Sequence, residues 1–366
     1  MSKRIWVVGA GSIGNHIAHA ARRREWDVTM IDVDPAALRR TSEEIYPMRY
    51  GAWDKAISLK LADEDLGSPA DVVYIGTPPD SHLSLADKFL SMPGRPRSII
   101  IEKPLSGPDL TGWQDFAQRC ADLGVFGGVG YNHCLGANTT KVDDLIRMGR
   151  LGKLQTISTR TREHWQGIFD AHPWLDGPHA SYLGAATRGG GATCEHSHAI
   201  NIWQHFAHVA GHGRVVEVSA KLDWVQDERV AYDRLALVTL KTESGLIGDV
   251  IQDVITRPTE KAARLQGERG YISWQVNEQP GQDLVVTGGA GQPDEAFPIK
   301  KTRADDFIAV IDHLSEVLDG KVAQSPIALS RGIETLMVIA AIFKSDAESR
   351  RVSINWSRGY VAEALI

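Results

Sequence analysis

The sequence predicts a two-part α/β chain: a doubly wound parallel sheet first, then an α+β region with a large, mostly antiparallel open sheet. Three observations predict it. Short apolar runs in the first hundred residues alternate with stretches of helical spacing, the pattern of βαβ units. Later strand-like runs follow one another with few helices between them, which suits antiparallel pairing. At 366 residues the chain is also too long for one ordinary core. The division is placed between residues 1–127 and 128–366.

The elements follow in order. Ile5-Trp6-Val7-Val8 is a buried strand, followed by glycines and a helix over Ile13–Arg23. Val28-Thr29-Met30-Ile31 is a second strand, and Asp34-Pro35 after it has the form of an N-cap and first helical turn. Val72–Ile75 is a third strand, ending in Thr77-Pro78-Pro79-Asp80. Ser98–Ile101 is a fourth, ending at Glu102-Lys103-Pro104. Beyond Gly130 a short helix over Lys141–Arg147 precedes a half-buried strand, Leu154–Arg162. A loop rich in His, Pro, Trp and Gly runs from His164 to Gly191, and one helix is expected from Thr193 to Val209. Strands are expected at Val215–Leu222, Leu235–Lys241, Gly248–Val254, Tyr271–Val276 and Leu284–Thr287, with closing helices at Ala304–Leu318 and Ser330–Lys344.

Composition narrows the function. A net charge of −6 offers no basic face for nucleic acid. No apolar run has the length of a membrane span, and the first residues lack a signal-peptide pattern. Three widely spaced cysteines, Cys120, Cys134 and Cys194, do not read as a disulfide framework, so a reducing cytoplasm is expected.

Gly9-Ala10-Gly11-Ser12-Ile13-Gly14 directly follows a strand and opens a helix. The glycines allow a tight turn and close backbone approach to a pyrophosphate, whose charge meets the helix N-terminus. Asp32, eighteen residues after Gly14 at the end of the second strand, can accept hydrogen bonds from both adenosine ribose hydroxyls. Its charge repels the 2′-phosphate of NADP, so NAD is the expected cofactor. FAD is disfavoured because no second nucleotide motif occurs. Arg39 and Arg40 are read as solvated.

Lys103 ends the fourth strand and should project from the sheet's carboxyl edge, where ligands bind in open α/β sheets. An ammonium there can hold the oxygen that changes between alcohol and carbonyl and stabilise developing alkoxide. Taken alone, a solvated strand-end lysine is the commoner outcome.

The glycine motif, the Thr-Pro-Pro turn and Glu-Lys-Pro occur in an order and spacing that resemble the Gfo/Idh/MocA family. These are NAD(P)-dependent oxidoreductases acting mostly on sugars and cyclitols. The resemblance continues through Gly130-Tyr131-Asn132 and Leu145–Gly152, and is clearest at Gly189–Asn201. It implies a Rossmann domain in which Thr77, Pro78, His82, Glu102 and Lys103 join the glycine loop at the cofactor. It also implies that His198 is the general acid/base, with Glu195 at the family's acid position. Asn201 stands where the family more often has Asp, and Glu195 likewise replaces Asp. Glu195 and His198, spaced i, i+3, are expected on one face of a single helix. Either Glu195 or Asn201 can orient the imidazole or bind a hydroxyl. Asn132, Trp165, Trp174, Glu195, His198 and Asn201 are the expected substrate contacts, although tryptophan is more often packing. The loop His172-Pro173-Trp174-Leu175-Asp176, followed by Ser181-Tyr182, resembles members found with sialic-acid-like sugar pathways.

Competing readings remain. Cys194, Glu195, His196, His198, His205, His208 and His212 could suggest zinc, but no paired Cys-x-x-Cys or His-Glu-x-x-His occurs, and no metal is expected. A non-catalytic dinucleotide or sugar sensor on the same fold is the alternative to an enzyme, and it would need neither Lys103 nor His198. The open sheet face suggests a homodimer or homotetramer.

Overall fold

The computed structural model describes residues 2–170, 174–289 and 291–366, with only the backbone at Gln292. Strand β1 (Arg4–Val8) leads through α1 (Ser12–Arg22) to β2 (Asp27–Asp32). Next come α2 (Pro35–Arg40), a π-helical turn (Thr41–Ile45), α3 (Tyr46–Tyr50), β3 (Ile57–Leu61), β4 (Val72–Ile75), α4 (His82–Leu90) and β5 (Ser98–Ile101). Helix α5 (Trp113–Asp122), β6 (Phe126–Val129), α6 (Ala137–Arg147), β7 (Leu154–Arg162), α7 (Gln166–Asp170), α8 (Gly191–Glu195) and α9 (His198–Val209) follow. The strands β8 (Val215–Gln226), β9 (Ala231–Thr242), β10 (Ile247–Asp253), β11 (Glu260–Gly267) and β12 (Tyr271–Gln279) are succeeded by β13 (Gln282–Gly289) and β14 (Gln292–Lys300). Helices α10 (Arg303–Leu318) and α11 (Leu329–Glu348) and the short β15 (Val352–Ser353) close the chain.

The chain forms two compact units. The first holds residues up to 105, 115–132 and 303–331; the second holds 106–114, 133–302 and 332–366. A single division at 127/128 therefore gives way to several crossings, because α10 packs on α1 within the first unit.

The first unit carries a parallel six-stranded sheet in the order β3-β2-β1-β4-β5-β6. Its central strands are buried on both faces, as the unbroken apolar runs require: Val8 lies between Ile31 and Ile75. The order reverses at β1, so the carboxyl ends of β1 and β4 flank the point where ligands bind in such sheets. Two strands escaped the sequence reading. Edge strand β3 carries Ser58 and Lys60 among its apolar residues. In β6, Gly127 and Gly128 erase the apolar signal because Leu329 and Ile100 occupy the space a side chain would take.

The second unit carries a nine-stranded sheet in the order β14-β13-β12-β11-β7-β10-β9-β8-β15. All pairings are antiparallel except β7 with β10. The expected strands are present, longer at β8, β9, β12 and β13 and shifted by one residue at β10; β11, rich in charge, and β14, with two prolines, were missed. Helix α9 covers one face: Trp203 donates its indole N–H to Ile157 O, and Thr159 Oγ1 donates to Ala199 O. Among the described residues, no helix is long and apolar enough to cross a membrane.

Candidate active site

The glycine loop is defined by where side chains cannot go. A Cβ on Gly14 would lie 2.0 Å from Gly9 O, and one on Gly9, at φ +106°, would lie 2.8 Å from Gly76 O. A Cβ on Gly11, by contrast, would meet nothing within 4 Å. The loop is thus closed on its inner side and open at the start of α1, where amide N–H groups lack intrahelical partners. Asp32 fixes this geometry: Ala10 N donates to one carboxylate oxygen at 2.8 Å and Asp34 N to the other at 3.0 Å. Each oxygen keeps a lone pair for a further donor. The open cradle, the helix N-terminus and the remaining acceptors of Asp32 fit a dinucleotide. Arg40 lies 3.4 Å from Asp34, and Arg39 is exposed.

The carboxyl edge of the same unit presents Thr77, Pro78, Glu102 and Lys103. Thr77 shares a 2.7 Å hydrogen bond with Ser81, and Pro78 is exposed. Glu102 is buried and accepts the Tyr74 hydroxyl proton at 2.5 Å; burial, with Glu102 beside it, pushes the Tyr74 phenol well above its ordinary pKa. This brace anchors the strand end from which half-buried Lys103 leaves, ahead of the cis Lys103–Pro104 bond. His82 is fully buried, its ring nitrogens at 2.7 Å from Thr77 O and 3.1 Å from Leu105 O, and burial lowers its pKa. It ties the two edge loops together through backbone carbonyls, at the position where a cofactor contact was expected. Asn132 is also buried, its backbone N–H donating to Gly130 O.

The second unit holds the acid–histidine segment, and here the expected single helix is corrected. Helix α8 ends at Glu195 and α9 begins at His198, with a tight turn through His196 and Ser197 between them. The bond Ser197 N to Cys194 O closes that turn in 3₁₀ fashion. Glu195 and His198 therefore flank a break and do not share a continuous helical face.

Two side chains hold the start of α8. Thr193 donates its N–H and hydroxyl to Asp233 Oδ2 at 2.8 and 2.7 Å, and Gln252 Nε2 donates to Ala192 O at 2.8 Å. Burial pushes the Asp233 carboxyl up to about 7 against those hydrogen bonds. Gly191, at φ +80°, is required because a Cβ would lie 2.2 Å from Asp233 Oδ1.

Within this segment the histidines separate. His196 is buried, with Nε2 at 3.2 Å from Glu163 O. His198 is half-buried and lies edge-to-face on the His133 ring, centroids 4.5 Å apart. Glu195 accepts the Tyr182 hydroxyl proton at 3.1 Å.

Two expected substrate contacts point inward. Asn201 is buried, accepts from the Cys134 thiol at 2.8 Å and donates to Thr335 Oγ1 at 3.1 Å, so its amide serves the core. Trp165 packs among Leu183, Ala192, Tyr232 and Val254. Trp174 is 43% exposed, while His172 and Pro173 of the same loop lie outside the described residues. His205 is bonded to Asp143, His208 to Glu334 and His212 to Ser244, each with its own partner. The sequence reading missed His133 and Asp233, which are brought to the turn by long-range packing, and took Tyr182 only as part of the loop resemblance. It also missed Asn15, Thr41 and Arg49 around the glycine loop. Asn15, one position after Gly14 in the motif, was the one residue whose placement alone could have flagged it.

A glycine cradle of this geometry, with an acid ending the second strand, defines a dinucleotide-binding protein. Comparison with known proteins gives the particular kind. Residues 3–131 match the oxidoreductase family with NAD-binding Rossmann fold, GFO_IDH_MocA, and residues 139–273 match the GFO/IDH/MocA C-terminal domain. The chain belongs to the GFO/IDH/MocA family of oxidoreductases. No curated protein sequence matches it. Among solved structures, levoglucosan dehydrogenase in complex with NADH is similar over 96% of this chain and 99% of its own, with TM-score 0.76 and 16% identity. The WlbA dehydrogenase from Bordetella pertussis, in complex with NADH and UDP-GlcNAcA, covers 97% and 99%, with TM-score 0.70 and 19% identity. An NAD binding oxidoreductase from Klebsiella pneumoniae covers 96% and 99%, with TM-score 0.75 and 16% identity.

Proposed function

We propose that this enzyme moves a hydride between NAD and a hydroxyl-bearing carbon of a sugar, sugar acid or cyclitol. The observation that carries the reading is Lys103, held at the carboxyl edge of the nucleotide-binding sheet by the Glu102–Tyr74 brace. The levoglucosan and UDP-GlcNAcA names of similar structures support a carbohydrate substrate. NAD, when bound, accepts or delivers the hydride. Lys103 holds the reacting oxygen and stabilises negative charge on it. His198 takes the hydroxyl proton in oxidation and returns it in reduction. Glu195, held by Tyr182, contributes charge beside that base, and Trp174 offers an exposed ring face to substrate. Asp32 selects NAD over NADP by repelling a 2′-phosphate.

The narrower expectation of a sialic-acid-like substrate rests on the 172–176 loop alone. Assembly into a dimer or tetramer through the uncovered face of the large sheet, where Leu237 and Ile247 are exposed, belongs to the same proposal. Three buried free thiols accord with a reducing cytoplasm.

The test is turnover of NAD+ or NADH against a panel of sugars, sugar acids, keto-sugars and inositols, followed at the nicotinamide absorbance. Lys103→Met and His198→Ala should each lower kcat by roughly 10²–10⁴-fold. Unchanged turnover in either variant removes that residue from the mechanism. Asp32→Ser should bring NADP into use, and continued rejection of NADP would overturn the role given to Asp32.

A further inference from the structure

The segment after β2 grips the glycine loop from two positions, Thr41 and Arg49, and Asn15 of α1 adds a third hold. Thr41 Oγ1 donates to Ala10 O at 2.5 Å, and Asn15 Nδ2 donates to Gly11 O at 2.8 Å. Then Arg49 in α3 donates Nη1 to Ser12 O and Nη2 to Ser12 Oγ, both at 2.8 Å. The π-helical turn Thr41–Ile45 precedes α3, and such insertions recur at functional sites.

This pairing fixes the chemistry of Ser12. A guanidinium only donates, so Ser12 Oγ accepts from Arg49 and its own proton points elsewhere. Among the described residues that proton has no acceptor. Ser12 opens α1, where free amides and the helix dipole favour an anion. Arg49 itself is half-buried, and among the described residues no carboxylate pairs with it. Nearby, Arg303 already has a carboxylate in Asp306 at 3.2 Å. Burial, together with the charges of Arg49 and Arg303, drives His16 down to about 3, so that ring adds no counter-charge. A half-buried cation without a carboxylate, beside an anion-favouring helix end, is a site lacking its anion.

We infer that Arg49 is a phosphate-recognition residue of the dinucleotide site: it turns the Ser12 hydroxyl into a donor toward the pyrophosphate and supplies the cation that the amides lack. This rests on the glycine loop being the dinucleotide site. The alternative role for Arg49 is a purely structural staple between α3 and the loop.

Equilibrium binding separates the two. NADH, ADP-ribose and adenosine are titrated against the wild type, Arg49→Gln and Ser12→Ala, with ligand-observed NMR for adenosine. Arg49→Gln should weaken NADH and ADP-ribose by roughly 10–100-fold and leave adenosine within about twofold. Ser12→Ala, which leaves α3 intact, should weaken the same two ligands by roughly 3–10-fold and decides the matter if Arg49→Gln does not fold. The salt dependence of NADH binding should also flatten in Arg49→Gln. Equal weakening of adenosine, or unchanged NADH binding, overturns the inference. Failure of the wild type to bind NADH would instead overturn the dinucleotide reading itself.

Discussion

The glycine loop and the α8–α9 turn, the two places on which the proposed function rests, are built in opposite ways. The loop is made by backbone: Gly9 and Gly14 sit where no side chain fits, and the following strand places Asp32 against Ala10 N. The turn is made by side chains from distant strands, with Asp233 of β9 and Gln252 of β10 holding the start of α8. A site shaped by backbone geometry is local in sequence, whereas one shaped by side-chain anchors is not.

Substitutions at two glycines of the loop give the largest expected effect. Gly14→Ala places a methyl 2.0 Å from a carbonyl that belongs to the loop itself. It should cost about 3 kcal/mol or more in stability and abolish measurable NADH binding. Gly11→Ala points its methyl into open space, so the melting temperature should hold while NADH binding weakens. Thermal unfolding and NADH titration of the pair check this. Equal destabilisation by both would mean the loop is not closed on one side only.

The turn should respond to pH where the loop does not. The Asp233 carboxyl is raised from 3.8 to about 7 in the folded state, chiefly by burial. The folded protein therefore binds more protons than the unfolded chain between these values. Its contribution to stability is full below pH 4 and falls as pH rises toward 7, on the order of 3–4 kcal/mol across the window. Asp233→Asn should flatten that decline, as seen in melting temperature against pH for both proteins. Parallel curves would show that Asp233 titrates normally.

This contrast explains what could be read in the sequence. The six-stranded sheet was legible at β1, β2, β4 and β5, because strands buried on both faces carry unbroken apolar runs. It was illegible at β6, where neighbouring side chains fill the room above two glycines. Gly9, Gly14 and Asp32 were legible because their spacing is the geometry. The break between Glu195 and His198 was not, since Ala192–Val209 contains no proline or glycine to announce it. The surroundings of His82 and Asn201 were illegible for one reason: a polar residue inside a motif does not announce its protein partners, Thr77 and Leu105 or Cys134 and Thr335.

Asn201 gives a middle-sized effect that sharpens this distinction. Asn201→Ala leaves the Cys134 thiol and Thr335 without that amide. It should cost roughly 1–3 kcal/mol in stability while kcat changes by less than about threefold. A large fall in kcat with unchanged melting temperature would return Asn201 to the active site.

The smallest effect is expected at Glu195, and it tests whether the broken helix still couples an acid to the base. Glu195 lies on the far side of the turn from His198, and its Oε2 accepts the Tyr182 hydroxyl. Glu195→Gln preserves an acceptor for that hydroxyl and removes only charge. A through-space charge effect at a half-exposed position is worth about 1 kcal/mol, so kcat should fall roughly three- to tenfold. The acidic limb of oxidation should also shift to lower pH, because an imidazolium that loses a nearby carboxylate gives up its proton at lower pH. Tyr182→Phe leaves the carboxylate charged and removes only the Tyr182 hydroxyl from it, and should show a smaller loss with no shift of the acidic limb. If Glu195→Gln changes the rate without moving the pH profile, the carboxylate acts on substrate and not through His198, and the break between α8 and α9 separates two independent contacts.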